Sequence, residues 1–310
     1  MSNKRLVIGT RSSQLALWQA DYIAERLQKT YPDLIVEKQL ITTKGDKILD
    51  APLAKIGGKG LFTKELETAM LAGEIDIAVH SLKDMPVEVP EGLIIGAVTQ
   101  REDPGDVLVS PKYKLFDKLP VGAKVGTSSL RRKAQLLSVR PDLNICDLRG
   151  NVNTRLKKLV DEHFDGIVLA AAGLKRLGFS HMITDVIDPA ICLPAVGQGA
   201  LAVECRRDDM EVNTLIAFLN DEDTLICTKA ERAFLRRVQG GCQVPVGVYG
   251  TMEQGRLQVE GIIASLDGRR IFRDCMTGEP AQAETLGQAL ADKLLAAGGR
   301  EVLMELGIDI

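Results

Sequence analysis

The chain has 310 residues, enough for about two domains at roughly 150 residues each. Hydrophobic residues make up 45% and charged residues 26%, which allows sizeable buried cores and excludes wholesale disorder. A net charge of -3 excludes a global basic field for nucleic acid, and 4% aromatic residues leave few platforms for stacking on single-stranded bases.

Residues 6–9 read as a strand with no apolar signal segment before it, so a cytoplasmic location is expected. A helix is expected over 13–29, where Leu15, Trp18, Tyr22, Ala24 and Leu27 fall near one face. A strand at 34–42, a helix at 61–72 and a buried strand at 75–79 continue a βαβ rhythm, the mark of a mostly parallel sheet. The rhythm restarts with a strand at 124–126, a helix at 129–139, a strand at 143–148, a helix at 152–160 and a strand at 167–171. The longest apolar run, residues 167–174, is too short to span a bilayer, so no membrane partner is expected.

The fold class expected is therefore α/β, with two lobes of mostly parallel sheet. Two segments rich in Pro and Gly, 99–104 and 193–199, read as hinge crossings around a cleft. After about Asp221 the pattern changes to a helix at 225–238, a Gly-Gly-Cys loop, strands near 246–249, 256–265 and 270–276, and a helix at 283–296. That predicts a small α+β C-terminal domain. The boundaries expected are 1–99 with 200–218 for domain 1, 100–199 for domain 2 and 219–310 for domain 3.

Polar residues gather where the strands end. Thr10-Arg11-Ser12-Ser13, Thr127-Ser128-Ser129-Leu130-Arg131-Arg132, Arg149-Gly150-Asn151 with Arg155, and Lys175-Arg176 each follow a strand. In a parallel lobe these lie at the carboxyl edge of the sheet, where ligands bind. Ser and Thr cap helices there, and Arg supplies a planar fork that matches carboxylates. Recurrence at one topological place points to a substrate with several carboxylates or phosphates. Any single Arg of this kind would otherwise be a solvated surface residue, and Ser-Ser a helix cap.

A second cluster, residues 78–86, carries His80, Ser81, Lys83 and Asp84 ahead of Pro86, where the chain should turn. An ionised Asp84 among cations could steady a developing positive charge or shuttle a proton. The plainer alternative is an Asp capping a turn, and His80 reads as a packed strand residue. Six Cys are present without a CxxC pair, and with three His they predict neither a zinc site nor a disulfide scaffold. Cys146, Cys192, Cys205, Cys227 and Cys275 read as packing residues, whereas Cys242 sits in an accessible Gly-rich loop and is either a nucleophile or an ordinary loop thiol. Gly57-Gly58-Lys59-Gly60 reads as a mobile loop and matches no phosphate-binding motif.

Together these segments resemble the porphobilinogen deaminase (hydroxymethylbilane synthase) family. The matches run in order through Gly9–Ser13, Gly57–Phe62, Ala78–Pro86, Arg101–Pro104, Gly126–Arg132, Leu148–Arg155, Ala171–Leu177, Leu193–Glu204 and Gly240–Pro245. They cover most of the chain and loosen after about Tyr249. The resemblance implies lobes like those of periplasmic binding proteins and a dipyrromethane cofactor joined by a thioether to Cys242. It implies head-to-tail condensation of four porphobilinogen molecules with loss of ammonia, then hydrolytic release of hydroxymethylbilane.

By the same resemblance, Asp84 would be the catalytic group, stabilising the azafulvene cation formed when ammonia leaves. Lys83, Asp84, Ser129, Arg131, Arg132 and Arg155 would bind the cofactor. Arg11, Ser13, Arg149, Arg155 and Arg176 would bind substrate carboxylates, with Ser128 adding a hydrogen bond. Lys55, Lys59, Phe62 and Gln198 match residues near cofactor or substrate. A monomer is implied, with the product passed to uroporphyrinogen-III synthase. The competing expectations are a two-lobed polyanion-binding protein without catalysis and a nucleic-acid module, the latter opposed by charge and aromatic content.

Overall fold

The structure, a computed structural model, describes residues 5–47, 60–241 and 244–308. Lys55, residues 57–59 of the Gly-rich loop and Cys242 lie outside the described residues. In chain order the first elements are β1 (Arg5–Thr10), α1 (Gln14–Thr30), β2 (Ile35–Leu40), α2 (Lys44–Lys47), α3 (Lys64–Leu71), β3 (Ile77–Ser81) and β4 (Leu93–Val98). Next come β5 (Asp106–Val109), β6 (Lys124–Gly126), α4 (Leu130–Val139), β7 (Asn144–Cys146), α5 (Val152–Asp161), β8 (Gly166–Ala170), α6 (Ala171–Arg176) and β9 (Asp185–Ile187). The chain continues with β10 (Leu201–Arg206), α7 (Met210–Ile216), α8 (Glu222–Arg237), β11 (Val246–Glu253), β12 (Arg256–Ala264), β13 (Ile271–Gly278) and α9 (Ala283–Leu294).

The chain divides into two compact units, Met1–Arg101 with Ala200–Asp221, and Glu102–Gly199 with Glu222–Ile310. The first unit has a five-stranded sheet in the order β2-β1-β3-β10-β4. Strand β1 runs parallel to β2 and β3, while β10 runs antiparallel to β3 and β4. One face of the sheet packs Leu6, Ile8 and Val203 against Ile23 and Leu27 of α1 and Ile216 of α7. The other packs Ala78 and Leu93 under Leu66 and Met70 of α3. Removing this apolar area from water supplies the main driving force for the layering.

The second unit repeats the plan in the order β7-β6-β8-β5-β9, with β6 parallel to β7 and β8, and β5 antiparallel to β8 and β9. It also holds the antiparallel meander β11-β12-β13. Phe234 of α8, Val248, Val259 and Leu290 of α9 form the core beneath that meander. Helices α8 and α9 touch backbone to backbone: a Cβ added at Gly287 would lie 2.0 Å from the Ala230 carbonyl oxygen.

The parallel segments and the three C-terminal strands expected from the sequence are present. Strands β4, β5, β9 and β10 were not anticipated as strands. Each is part of an antiparallel pairing, outside the βαβ rhythm. Cys275, expected as a packing residue, is exposed on β13, while Cys192, Cys205 and Cys227 are buried.

Candidate active site

In the first unit, β1 delivers Arg11 and Ser13 to the sheet edge. Ser13 caps α1, its hydroxyl accepting the Ala16 N–H at 3.3 Å. Arg11 is held by a carboxylate that was not anticipated: its Nε donates to Asp46 at 3.1 Å and its Nη2 to the same group. The guanidinium also lies 4.3 Å from the centre of the Phe62 ring. Burial pushes the Asp46 carboxyl up, but hydrogen bonds from Arg11 and Thr43 outweigh it and leave the group below its usual range. The Nε–Nη2 edge of Arg11 is thus spent on Asp46, and among the described residues Nη1 is the group left to meet an anion.

Strand β3 ends in a one-turn 3₁₀ helix, Leu82–Asp84. Leu82 is 1% exposed and Met85 5%, so the turn is anchored on both sides by buried apolar side chains while Asp84 itself is exposed. Leu82 N–H donates to the Ala200 carbonyl at 3.0 Å and fixes the turn to the start of β10. A pocket within this unit is lined by Arg11, Ser13, Gln19, His80, Ser81 and Asp84. Gln19 Nε2 donates to Ser81 Oγ at 2.8 Å across it. A carboxylate, a guanidinium and two hydroxyls therefore meet in one concave place, which suits a ligand that is acidic at its edge and cationic in reaction.

In the second unit, Ser129 caps α4, accepting the Arg132 N–H at 3.4 Å. Ser128 bridges β6 to β7, its Oγ accepting from Leu148 N at 2.9 Å and donating to Leu148 O at 3.1 Å. Arg131 and Arg132 turn inward to 4% and 5% exposure. Arg131 Nη1 donates to Asp106 Oδ2 at 2.6 Å and to the Leu193 carbonyl at 2.6 Å. Arg132 donates to Asp106 Oδ1 through Nη2 at 2.7 Å and Nε at 3.0 Å. Gln198 Nε2 joins the same oxygen at 2.9 Å. Among the described residues, these partners leave Nε and Nη2 of Arg131 unengaged.

Burial would raise the Asp106 carboxyl, yet the two guanidiniums hold it far below the usual range. Beside it, burial followed by the Asp106 charge pushes the Cys192 thiol up to about 12.

Arg149 lies in the loop that follows β7, and Arg155 in the first turns of α5. Arg155 Nε donates to Gly150 O at 2.8 Å, made possible by Gly150 at φ 114°. Arg149 Nη1 is buried with no hydrogen-bond partner among the described residues. An orphaned buried guanidinium nitrogen is costly unless an anion meets it, so this edge fits a carboxylate-bearing ligand. Arg176, at the end of α6, donates through Nη2 to Gly199 O at 2.6 Å.

The loop that carries Cys242 is framed by described residues. Gly240 N–H closes α8 on Leu235 O at 2.9 Å, and Val244 N–H donates to Gly241 O at 3.4 Å. The sequence points to Arg11 but not to Asp46, and to Arg131 and Arg132 but not to Asp106. Neither acid carries a local signal, because each meets its arginines only through the fold.

Residues 6–214 match the family model described as "Porphobilinogen deaminase, dipyromethane cofactor binding domain", and residues 225–296 match "Porphobilinogen deaminase, C-terminal domain". The chain is 54% identical over 306 residues to a porphobilinogen deaminase of Pelobacter propionicus, covering 99% of this chain and 98% of that one. It is likewise 54% identical to the enzyme of that name from Geobacter metallireducens, covering 99% of this chain and 96% of the other. Among solved structures it is similar to the methionine-binding protein MetQ, with a TM-score of 0.45 and 15% identity over 69% of this chain and 89% of that one.

Proposed function

The chain belongs to the porphobilinogen deaminase family, and from that premise we propose a division of labour among its residues. Its activity is that of hydroxymethylbilane synthase: four porphobilinogen molecules are joined head to tail, one ammonia leaves at each condensation, and water releases the linear tetrapyrrole. The dipyrromethane cofactor supplies the primer on which the chain grows. Cys242 is its attachment residue in this reading, and Lys83, Asp84, Ser129, Arg131, Arg132 and Arg155 hold it. Arg131 would use the Nε and Nη2 groups that Asp106 leaves unengaged. Arg11, Ser13, Arg149, Arg155 and Arg176 receive the acetate and propionate groups of the incoming pyrroles.

Asp84 carries the chemistry. As ammonia departs, positive charge spreads over the pyrrole ring, and an anion fixed beside the ring N–H lowers the barrier by electrostatic stabilisation. When the new carbon–carbon bond forms, the attacked α-carbon gives up its proton, and the same carboxylate is the acceptor at hand. The observation that supports this assignment is the exposed Asp84 carboxylate, anchored by buried Leu82 and Met85, in a pocket that also holds Arg11 and Ser13. The three-domain division, with 219–310 as a separate cofactor-bearing domain, belongs to the same proposal. So do a cytoplasmic monomer and transfer of the product to uroporphyrinogen-III synthase.

Intact-mass measurement of the purified chain and of Cys242→Ala tests the attachment: a dipyrrole-sized increment present in the first and absent from the second is expected. Asp84→Ala should load the cofactor and lose nearly all turnover. Normal turnover in that variant removes Asp84 from the central role.

A further inference from the structure

One face of the first unit's sheet carries ionisable groups where core would be expected. Alternation along β10 sends Leu201, Val203 and Cys205 into the core under α1 and α7, and Ala202 and Glu204 to the opposite face. Ala202 lies opposite His80 and Glu204 opposite Ala78, so His80 and Glu204 are diagonal neighbours on that face. Glu204 is 0% exposed and His80 7%. His80 Nε2 lies 3.1 Å from Glu204 Oε2, while Glu204 Oε1 is buried with no hydrogen-bond partner among the described residues.

Helix α3 lays Glu67 over the same face, its Oε1 also buried and without a hydrogen-bond partner among the described residues. Burial, joined by repulsion from Glu204, raises the Glu67 carboxyl above its usual range.

Stability does not account for this arrangement. An orphaned buried carboxylate oxygen lowers stability. The cluster instead adjoins the site, because His80 forms part of the wall of the pocket that holds Arg11, Ser81 and Asp84.

We propose that Glu204 is a positioning residue for this pocket and acts through His80. The carboxylate accepts a hydrogen bond from the Nε2–H group, fixes the tautomer and orientation of the imidazole, and so sets the wall against which the substrate pyrrole lies relative to Asp84. The proposal rests on the reading of this pocket as the reacting site.

The test is a double-mutant cycle on cofactor-loaded enzyme: wild type, Glu204→Gln, His80→Ala and both together. The readouts are turnover per loaded chain, KM for porphobilinogen, loaded mass and melting temperature. Glu204→Gln should lower kcat by about tenfold, less than the roughly 100-fold of a full 1 Å misplacement, with KM within about twofold. Its loaded mass and melting temperature should match wild type, and the double variant should be no slower than His80→Ala. Multiplicative losses in the double variant, or wild-type kcat in Glu204→Gln, would overturn the proposal.

If Glu204→Gln does not fold, Glu204→Asp decides. It keeps the charge but withdraws it from Nε2, so a similar kcat loss is expected and wild-type kcat refutes. Asp84→Ala measured alongside separates the two levels. Full turnover there removes the pocket reading, whereas an inert Asp84→Ala beside an unimpaired Glu204→Gln removes only the positioning role.

Discussion

Replacing Asp106 with asparagine should destabilise the second unit by about 3–5 kcal/mol, the usual cost of breaking a buried ion pair from one side. Asp106 is 0% exposed and accepts hydrogen bonds from Arg131, Arg132 and Gln198. Asparagine keeps the shape and one acceptor oxygen, but it leaves two buried guanidiniums facing no anion and points an N–H₂ toward one of them. At roughly 2–4 °C per kcal/mol for a unit of this size, the melting temperature should fall by about 6–20 °C. Scanning calorimetry of the cofactor-loaded protein measures this directly.

The pH dependence adds a second check. The arginines hold the Asp106 carboxyl far below its usual range, against the effect of burial. A depressed carboxylate contributes stability that is complete above its unfolded value near ~3.9 and is lost as pH falls from there toward the folded value. The gap between wild type and Asp106→Asn should therefore stay constant from about pH 7 to about pH 5 and narrow only below about pH 4. A melting temperature within about 2 °C of wild type at neutral pH would refute the idea that this carboxylate braces the two arginines.

Three further outcomes follow from particular contacts. Alkylation of the folded chain near pH 8, read by peptide mass, should label exposed Cys275 and spare Cys192, whose thiol is pushed up to about 12. Labelling of Cys192 at a comparable rate would mean its surroundings open readily. Gly287→Ala should lower stability by about 1–3 kcal/mol in denaturant titration, because the new methyl meets the Ala230 carbonyl at 2.0 Å and two helix backbones must part. Arg149→Gln should raise KM for porphobilinogen by about tenfold or more, the worth of one charge-assisted hydrogen bond, without lowering the melting temperature. An unchanged KM would take Arg149 out of carboxylate binding.

The parallel half of each sheet was legible because its signal is local. Residues 6–40 run strand, helix, strand and residues 124–171 strand, helix, strand, helix, strand, and apolar positions change period from 2 to 3.6 within a short window. The returning strands escape that test. Leu93–Val98 is broken by Gly96, whose missing Cβ leaves room for the Cys205 sulfur and Ile216. Strand β10 emerges directly from the Gly197-Gln198-Gly199 segment, which reads as hinge, and it is defined by partners on β3 and β4 far away in the chain. Pairing of that kind depends on the whole sheet, so no window over β10 alone contains it.

The arginines show the same limit at the level of side chains. Arg11, Arg131, Arg132 and Arg149 look alike in sequence, each just past a strand, yet among the described residues Arg149 keeps an unpartnered nitrogen while Arg132 is spent on Asp106. One clue did lie in the sequence. Arg131 and Arg132 occupy the first turn of α4, which has no acidic residue, and cations there oppose the helix dipole. Two guanidiniums in that position need an anion from elsewhere, either from a ligand or from the protein. Asp106 on β5 supplies it, so the sequence could signal the need for a counter-charge while only the sheet pairing of β5 with β8 could name its source.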